Sequence, residues 1–143
     1  MTSGEVTLEF RTELDAAPRA RSAAGAALEA WGLRALADDT VLVVSELVTN
    51  GMLHAGAPVQ LRLRQTARGV RVEVEDRSRV APVRPLATLD AMTGRGMALV
   101  DALARRWGVQ QLVDGKIVWC ELASEAGLSA WGLPSTLARS IWV

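Results

Sequence analysis

Hydrophobic and polar positions along the chain follow two periods, and each period predicts one type of element. Alternating apolar residues predict strands over residues 5–12, 59–65 and 70–76. Apolar residues at helical spacing, together with start and stop signals, predict three helices. The first is opened by Pro18 and closed by Gly32, the second is capped by Asp38 or Asp39 and ends near residues 56–58, and the third covers Met97–Arg106.

Two short turns predict that strands are joined into hairpins. Ala-Arg-Gly at residues 67–69 separates the second and third strands, and Asp-Gly at residues 114–115 separates two further strands predicted over 107–113 and 117–122. Residues 77–93 predict a loop, and loops of this length inside a compact domain are usually functional or mobile. The order β, α, α, β, β, loop, α, β, β predicts a two-layer α/β sandwich.

The composition is that of an ordinary globular domain. The chain has 143 residues, of which half are hydrophobic and 22% are charged, so one core can bury most of the apolar surface. Trp107 and Trp119 are expected to anchor the final hairpin in that core. Sixteen basic residues balance sixteen acidic ones, which leaves no strong net field to attract nucleic acid or an anionic membrane. We therefore expect neither of these as a partner.

Residue counts also exclude some kinds of site. A single cysteine rules out an intramolecular disulfide and a cysteine-based zinc site, and a single histidine leaves no histidine cluster. The first ten residues lack a basic segment followed by an apolar run, and no apolar stretch approaches about 18 residues. The expected location is therefore the cytoplasm.

The last twenty residues are too apolar for a free tail. Residues 124–143 carry two tryptophans and several aliphatic side chains. Two interpretations stay open: a helix that packs on the domain, or a contact with a partner or a second copy of the chain. The expected organisation is one domain over residues 1–123 and an extension over residues 124–143.

The segment VVSELVTNGMLHA, residues 43–55, holds the first candidate functional residues. Glu46 and Asn50 are spaced i, i+4, so their side chains lie side by side at the margin of the apolar stripe. Such a helix can roof a pocket while its apolar side holds the core; the alternative is a solvated pair at the edge of an amphipathic helix. His54 lies about 80° from Glu46 around the helix, and we assign it a structural role near the helix end.

Two later segments carry further candidates. Asp76 ends a strand beside the long loop, where a carboxylate can accept a hydrogen bond from an exocyclic amine or simply form a turn. Thr93 and the run Gly94-Arg95-Gly96 precede the third helix. Free backbone N–H groups and the helix dipole suit that end to a phosphate, although the glycines could also be no more than a flexible helix start.

The three segments in this order resemble the GHKL ATPase superfamily, which includes gyrase and the catalytic domains of histidine kinases. More narrowly, ELVTN..LHA, VEVED.S, TGRGMALVDALARRWGV and GK.VW.EL are similar to the small bacterial anti-sigma-factor serine/threonine kinases. The resemblance covers residues 5–123. It implies the two-layer sandwich of the superfamily, with a mixed, mostly antiparallel sheet covered by helices on one face.

The resemblance also implies a role for each candidate residue. Asn50 would ligate Mg²⁺ through its side-chain oxygen, and Glu46 would act as general base or orient the attacking hydroxyl or water. Asp76 would receive the adenine amino group. Residues 93–97, Thr93, Gly94, Arg95, Gly96 and Met97, would hold the nucleotide phosphates, with Arg95 as a cationic contact. Lys116, in the last hairpin turn, matches the family's GK position, and its role stays open between nucleotide contact and solvated turn.

This sequence departs from the superfamily pattern in two places. The superfamily carries Asp-x-Gly-x-Gly, whereas Asp76 is followed here by Arg77 and Ser78. Without those glycines the backbone approaches adenine less closely, which predicts weaker binding of the base. Residues 79–92, which would form the lid over ATP, contain no glycine but include prolines, so we expect a stiffer lid.

Three functional hypotheses follow. The leading one is an ATP- and Mg²⁺-dependent serine/threonine kinase that phosphorylates an anti-sigma antagonist or binds a sigma factor. The second, from a different class, is a module that binds ATP or no nucleotide at all and acts by sequestering a protein partner. The third is an ATPase without a protein substrate. Members of the branch that this chain resembles are often homodimers, so a second copy is a further expected partner.

Overall fold

A computed structural model describes residues 4–12, 14–55, 58–77 and 97–123. It contains five strands, which we label β1 (Glu5–Phe10), β2 (Val59–Gln65), β3 (Gly69–Asp76), β4 (Arg106–Leu112) and β5 (Gly115–Ala123). The helices are α1 (Ala16–Ala30) and α2 (Ala37–Ala55), with a short 3-10 helix (Arg34–Leu36) between them. Residues 97–103 are also helical and are labelled α3.

The five strands form one sheet in the order β1-β2-β3-β5-β4. All four neighbouring pairs are antiparallel, so both predicted hairpins and the mostly antiparallel sheet are confirmed. A mixed sheet would also need a parallel pair, and none occurs between the strands of the described residues. The central pair, β3 with β5, brings the C-terminal end of β3 beside the N-terminal end of β5.

The first helix ends as predicted but begins earlier. Gly32 has a positive φ of 72°, which glycine adopts without the usual steric penalty, and it follows the last helical turn. The Leu33 N–H donates to the Leu28 oxygen across this end at 2.8 Å. Pro18 does not open the helix: it is the third residue of α1, where its missing N–H is tolerated because first-turn N–H groups have no helical partner.

The boundaries of the other two helices correct the sequence prediction. Asp38 and Asp39 lie in the first turn of α2 instead of capping it, because the preceding 3-10 helix runs directly into α2. Their carboxylates still suit the positive end of the helix dipole. The helical residues of α3 stop at 103, short of the predicted Arg106. The chain joins the sheet just after that point, because the Arg105 N–H donates a hydrogen bond to the backbone oxygen of Glu121 at 2.7 Å.

The core lies between the helices and one face of the sheet. Alternate residues of the three central strands are fully or almost fully buried there, and α1 and α2 cover them with alanine, valine and leucine side chains. The core positions on β2, β3 and β5 are Val59, Leu61, Leu63, Val70, Val72, Val74, Val118, Cys120 and Leu122. Burial raises the pKa of the Cys120 thiol to about 12, so this cysteine is a protonated packing residue.

The opposite face of the sheet carries a row of ion pairs. Glu73 and Glu121 each accept hydrogen bonds from arginines, with Arg71 bridging the two at 2.7 and 2.8 Å. Trp119 lies on this face, with the Arg71 guanidinium 4.3 Å from its ring centroid. The prediction that Trp119 is a core anchor is therefore wrong, whereas Trp107 does pack against the core. Residues directly opposite each other on paired strands point to the same face of the sheet. Trp107 is opposite the buried Cys120 and lies on the core face, whereas Trp119 is opposite Gly108 and lies on the other face.

Some predictions fall on residues that the structure does not describe. These are the residues of the loop and of the following glycine run over 78–96, residues 56–57 after α2, and the extension over residues 124–143. Among the described helices, none combines the length and apolar character needed to cross a bilayer.

Candidate functional site

One face of α2 lines a pocket against the sheet. The lining residues Leu47, Asn50, Gly51 and His54 are spaced i, i+3, i+4 and i+7, which places them on one side of the helix. The sequence 37–55 forms this helix because it is rich in apolar residues whose spacing gives a buried stripe, and Val43, Val44 and Val48 in that stripe are fully buried. The buried stripe holds the helix on the core, and its adjoining edge faces the pocket.

The other wall of the pocket comes from the centre of the sheet and from α3. Val74 and Asp76 extend from β3, Lys116 and Val118 extend from β5, and Met97 closes one side. The pocket opens to solvent. Apolar walls with a few placed polar groups are typical of small-molecule sites.

Asp76 and Lys116 form a buried ion pair within this pocket. They are directly opposite each other in the register of β3 and β5, and the Lys116 Nζ donates to Asp76 Oδ2 at 2.7 Å. Their side chains are only 14% and 3% exposed for Lys116 and Asp76, respectively. Lys116 is therefore not a solvated turn residue but the second residue of β5. A buried ion pair contributes little net stability, because desolvation offsets most of the attraction.

Gly115 allows the two strands to bring this pair together. A Cβ atom at Gly115 would overlap the carbonyl oxygen of Asp76, so any other residue would push the end of β3 away. The predicted turn glycine thus has a second role, which is to permit close approach of the backbone beside the site.

Asn50 presents a polar group that has no protein partner among the described residues. Its Nδ2 atom is buried, and no hydrogen-bond acceptor of the described chain lies within reach. A buried amide left in this state costs free energy unless a ligand or water pairs with it. Within the described part of the chain, this amide is therefore left available to a ligand or a water molecule.

Glu46 and His54 have different positions relative to the described pocket. Glu46 is half-buried on α2, one turn before Asn50, and it is not part of the pocket lining. His54, assigned a structural role from the sequence, does line the pocket. The i, i+4 spacing from Asn50 to His54 was the available signal for it, since it continues the same face as Leu47 and Asn50.

The remaining predicted residues divide into two groups. Met97 is buried and lines the pocket as expected of a residue at the start of the third helix. The residues proposed to hold phosphates, Thr93, Gly94, Arg95 and Gly96, lie outside the described part of the chain. The structure therefore brings together Asn50, Asp76, Met97 and Lys116.

Comparison with known proteins decides the family. A family model described as a histidine kinase-like ATPase domain matches residues 10–121, well over half of the chain. The chain belongs to the histidine kinase-like ATPase family. An uncharacterised protein of Streptomyces coelicolor is similar to it, with 39% identity over 100 residues that cover 66% of this chain and 95% of that protein.

Membership of the histidine kinase-like ATPase family confirms the superfamily resemblance and agrees with the observed sandwich. Domains of this type bind ATP, usually together with Mg²⁺. The matched range includes the described pocket residues, from Leu47 on α2 to Val118 on β5.

Proposed function

We propose that this chain is an ATP- and Mg²⁺-dependent serine/threonine protein kinase of the anti-sigma-factor type. The observation that carries the proposal is the convergence of Asn50, Asp76 and Lys116 on one pocket of a histidine kinase-like ATPase domain. The motifs ELVTN..LHA and TGRGMALVDALARRWGV, which resemble the anti-sigma-factor kinases, support the choice of branch. The protein substrate would be a small antagonist, and the protein would also bind a sigma factor.

Asp76 would hold the adenine end of ATP. Asp76 is 2% exposed, and it lines the pocket beside the apolar side chains of the sheet. A carboxylate in this position would accept a hydrogen bond from the exocyclic amine of the base. Apolar side chains such as Val74, Met97 and Val118 would cover the ring. Burial makes that hydrogen bond stronger than it would be in water.

Asn50 fits the role of the magnesium ligand. A carboxamide offers both an acceptor oxygen for a hard cation and an N–H donor for a phosphate oxygen. The buried, unpaired Nδ2 atom of Asn50 is consistent with a ligand that satisfies both ends of the amide. Mg²⁺ bound there would neutralise phosphate charge, and Asn50 would orient the phosphates relative to the helix.

Glu46 would act as the general base for the attacking hydroxyl. It lies one turn from Asn50 on α2, so a hydroxyl brought to the metal-bound phosphate would be close to its carboxylate. In phosphoryl transfer most of the catalysis comes from positioning and electrostatic stabilisation, so the base is expected to contribute less than the nucleotide site itself.

Transfer of the γ-phosphate from labelled ATP to candidate antagonist proteins tests the proposal. The candidates are proteins encoded beside this chain's gene, and the readout is label on a serine or threonine of the candidate. We expect Glu46→Gln to bind ATP normally and to lose about 10²- to 10⁴-fold in transfer rate. Glu29→Gln on the exposed face of α1 is the matched control. Transfer by the Glu46→Gln variant at the wild-type rate would refute the assigned base.

The outcome also separates the competing hypotheses. Partner binding that survives Glu46→Gln, together with no transfer by wild type in the presence of bound ATP, would replace the kinase with a sequestering module. Sustained ATP hydrolysis without any protein partner would instead favour an ATPase.

A further inference from the structure

We propose that Lys116 and Asp76 act as a donor–acceptor pair that recognises the Watson–Crick edge of adenine, with Lys116 donating to N1 while Asp76 accepts from N6. The inference rests on the proposed nucleotide site and adds a determinant of base specificity to it. It starts from the 2.7 Å contact between Lys116 Nζ and Asp76 Oδ2 inside the pocket.

The spacing of the two protein groups matches the spacing of the two base groups. On adenine, N6 and N1 are attached to the same trigonal carbon, which separates them by about 2.3 Å given C–N bonds of 1.33 Å. N6 carries hydrogens to donate and N1 has a lone pair to accept. A carboxylate and an ammonium in contact at 2.7 Å present the complementary order of acceptor and donor.

The fixed register of the sheet gives this pair its orientation. Asp76 faces Val59 on one side and Lys116 on the other, and both strands continue as buried core strands. The backbones of both residues are therefore held in place by the core. The ammonium has three donors, so one hydrogen bond to Asp76 leaves donors for a base nitrogen.

The arrangement also predicts discrimination between purines. Hypoxanthine and guanine carry an acceptor oxygen at position 6 and an N–H at position 1, the reverse of adenine. Bound in the same orientation, they would set oxygen against the Asp76 carboxylate and N–H against the Lys116 ammonium. Sites that pair buried polar groups with a ligand reject analogues that leave those groups unpaired.

The test compares ATP with 1-deaza-ATP, which lacks only the N1 acceptor, by calorimetric titration with Mg²⁺. We expect wild type to bind ATP about ten- to a hundredfold more tightly, the value of one hydrogen bond to a charged group. In Lys116→Met the two nucleotides should bind equally. Lys116→Gln keeps a neutral donor beside Asp76 if the methionine variant folds poorly, and it should show a reduced preference. Arg62→Met, on the other face of the sheet, controls for loss of a cation.

A second readout does not depend on any variant. Lys116 is the only lysine of the chain, so protein made with ¹⁵N- and ¹³C-labelled lysine has one lysine side-chain NMR signal. Saturating ATP should shift this signal more than saturating 1-deaza-ATP does. Equal shifts would overturn the N1 contact.

The remaining outcomes are distinct. Equal binding of ATP and 1-deaza-ATP by wild type would overturn this inference and leave the nucleotide site standing. Tighter ATP binding by Lys116→Met than by wild type would also overturn it, because Lys116 would then compete with the base for Asp76. Absence of ATP binding by wild type would refute the proposed function itself, and this inference with it.

Discussion

Gly115→Ala should weaken nucleotide binding by displacing Asp76 without touching any side chain of the pocket. The new methyl group would overlap the Asp76 carbonyl oxygen, and the ends of β3 and β5 must separate by roughly 1.5 Å to reach ordinary contact distance. Overpacking of this kind costs about 1–3 kcal/mol of stability. Loss of one hydrogen bond from the base to Asp76 would weaken ATP binding by about ten- to a hundredfold.

Gly69→Ala is the matched control, because it makes the same clash at the other end of the same strand pair. A Cβ atom at Gly69 would overlap the carbonyl oxygen of Leu122, and both glycines are buried first residues of their strands. The two variants should therefore lose similar stability, which urea unfolding can measure. Only Gly115→Ala disturbs the strand end that carries Asp76.

The assay is calorimetric titration of ATP with Mg²⁺ into wild type and both variants, at a temperature where all three are folded. We expect near-wild-type affinity for Gly69→Ala and the stated loss for Gly115→Ala. Equal affinities in the two variants would refute the reasoning, because displacement of Asp76 would then have no effect of its own on ATP binding. Wild-type stability in both variants would show that the strand ends can separate without a loss of unfolding free energy.

Two further predictions concern the proposed metal ligand and the outer face of the sheet. Asn50→Ala should abolish the Mg²⁺ dependence of ATP binding while Thr49→Ala, exposed on the same helix, leaves it unchanged; titrations with and without Mg²⁺ measure this. Burial alone would raise the pKa of Glu121, but hydrogen bonds from Arg106 and Arg71 outweigh it, so the pKa is lowered in the folded protein. Glu121 therefore contributes stability above its unfolded pKa that is lost as the pH falls through the folded pKa. Glu121→Gln should flatten the loss of unfolding free energy in that acidic range, which urea unfolding at a series of pH values measures.

The fold was largely predictable because local patterns and the fold agree. Strict alternation predicts β1, β2 and β3 almost to the residue, and Ala-Arg-Gly and Asp-Gly predict the hairpins. The errors lie at the helix ends, because tertiary contacts determine where each helix begins and ends. The 3-10 helix before α2 removes the predicted cap, and pairing with Glu121 ends α3 early. Neither contact has a signature in the adjacent sequence.

The site was predictable only in part, because side-chain direction depends on register. The spacing of Asn50 from the apolar stripe placed it at the pocket, and the same periodicity could have included His54. Lys116 could not be placed, since a lysine after Asp-Gly suggests a solvated turn. Only the pairing of β5 with β3 shows that it faces Asp76. The same pairing sends Trp119 to the outer face, against its apolar character.

The position of the ion pair within the core leads to a last prediction. On the core face, Val72 lies opposite Cys120 and Val74 opposite Val118, and the next pair in the row is Asp76 with Lys116. The pair thus occupies a place where two apolar side chains would pack. Since apolar replacement of a buried ion pair is often neutral or stabilising by about 1–4 kcal/mol, the double variant Asp76→Leu, Lys116→Met should be at least as stable as wild type.

Removal of one partner has the opposite effect, because it leaves a buried charge unpaired. Lys116→Met alone should therefore lower the free energy of unfolding by about 3–5 kcal/mol relative to wild type. Adding Asp76→Leu to that variant removes the unpaired charge and should restore the lost free energy. Urea unfolding of the four proteins in this cycle measures the coupling, and ATP titration of the double variant should show no binding. A double variant less stable than Lys116→Met alone would mean that the pair supports the fold. A stable double variant without ATP binding would mean that the chain retains this ion pair for its ligand.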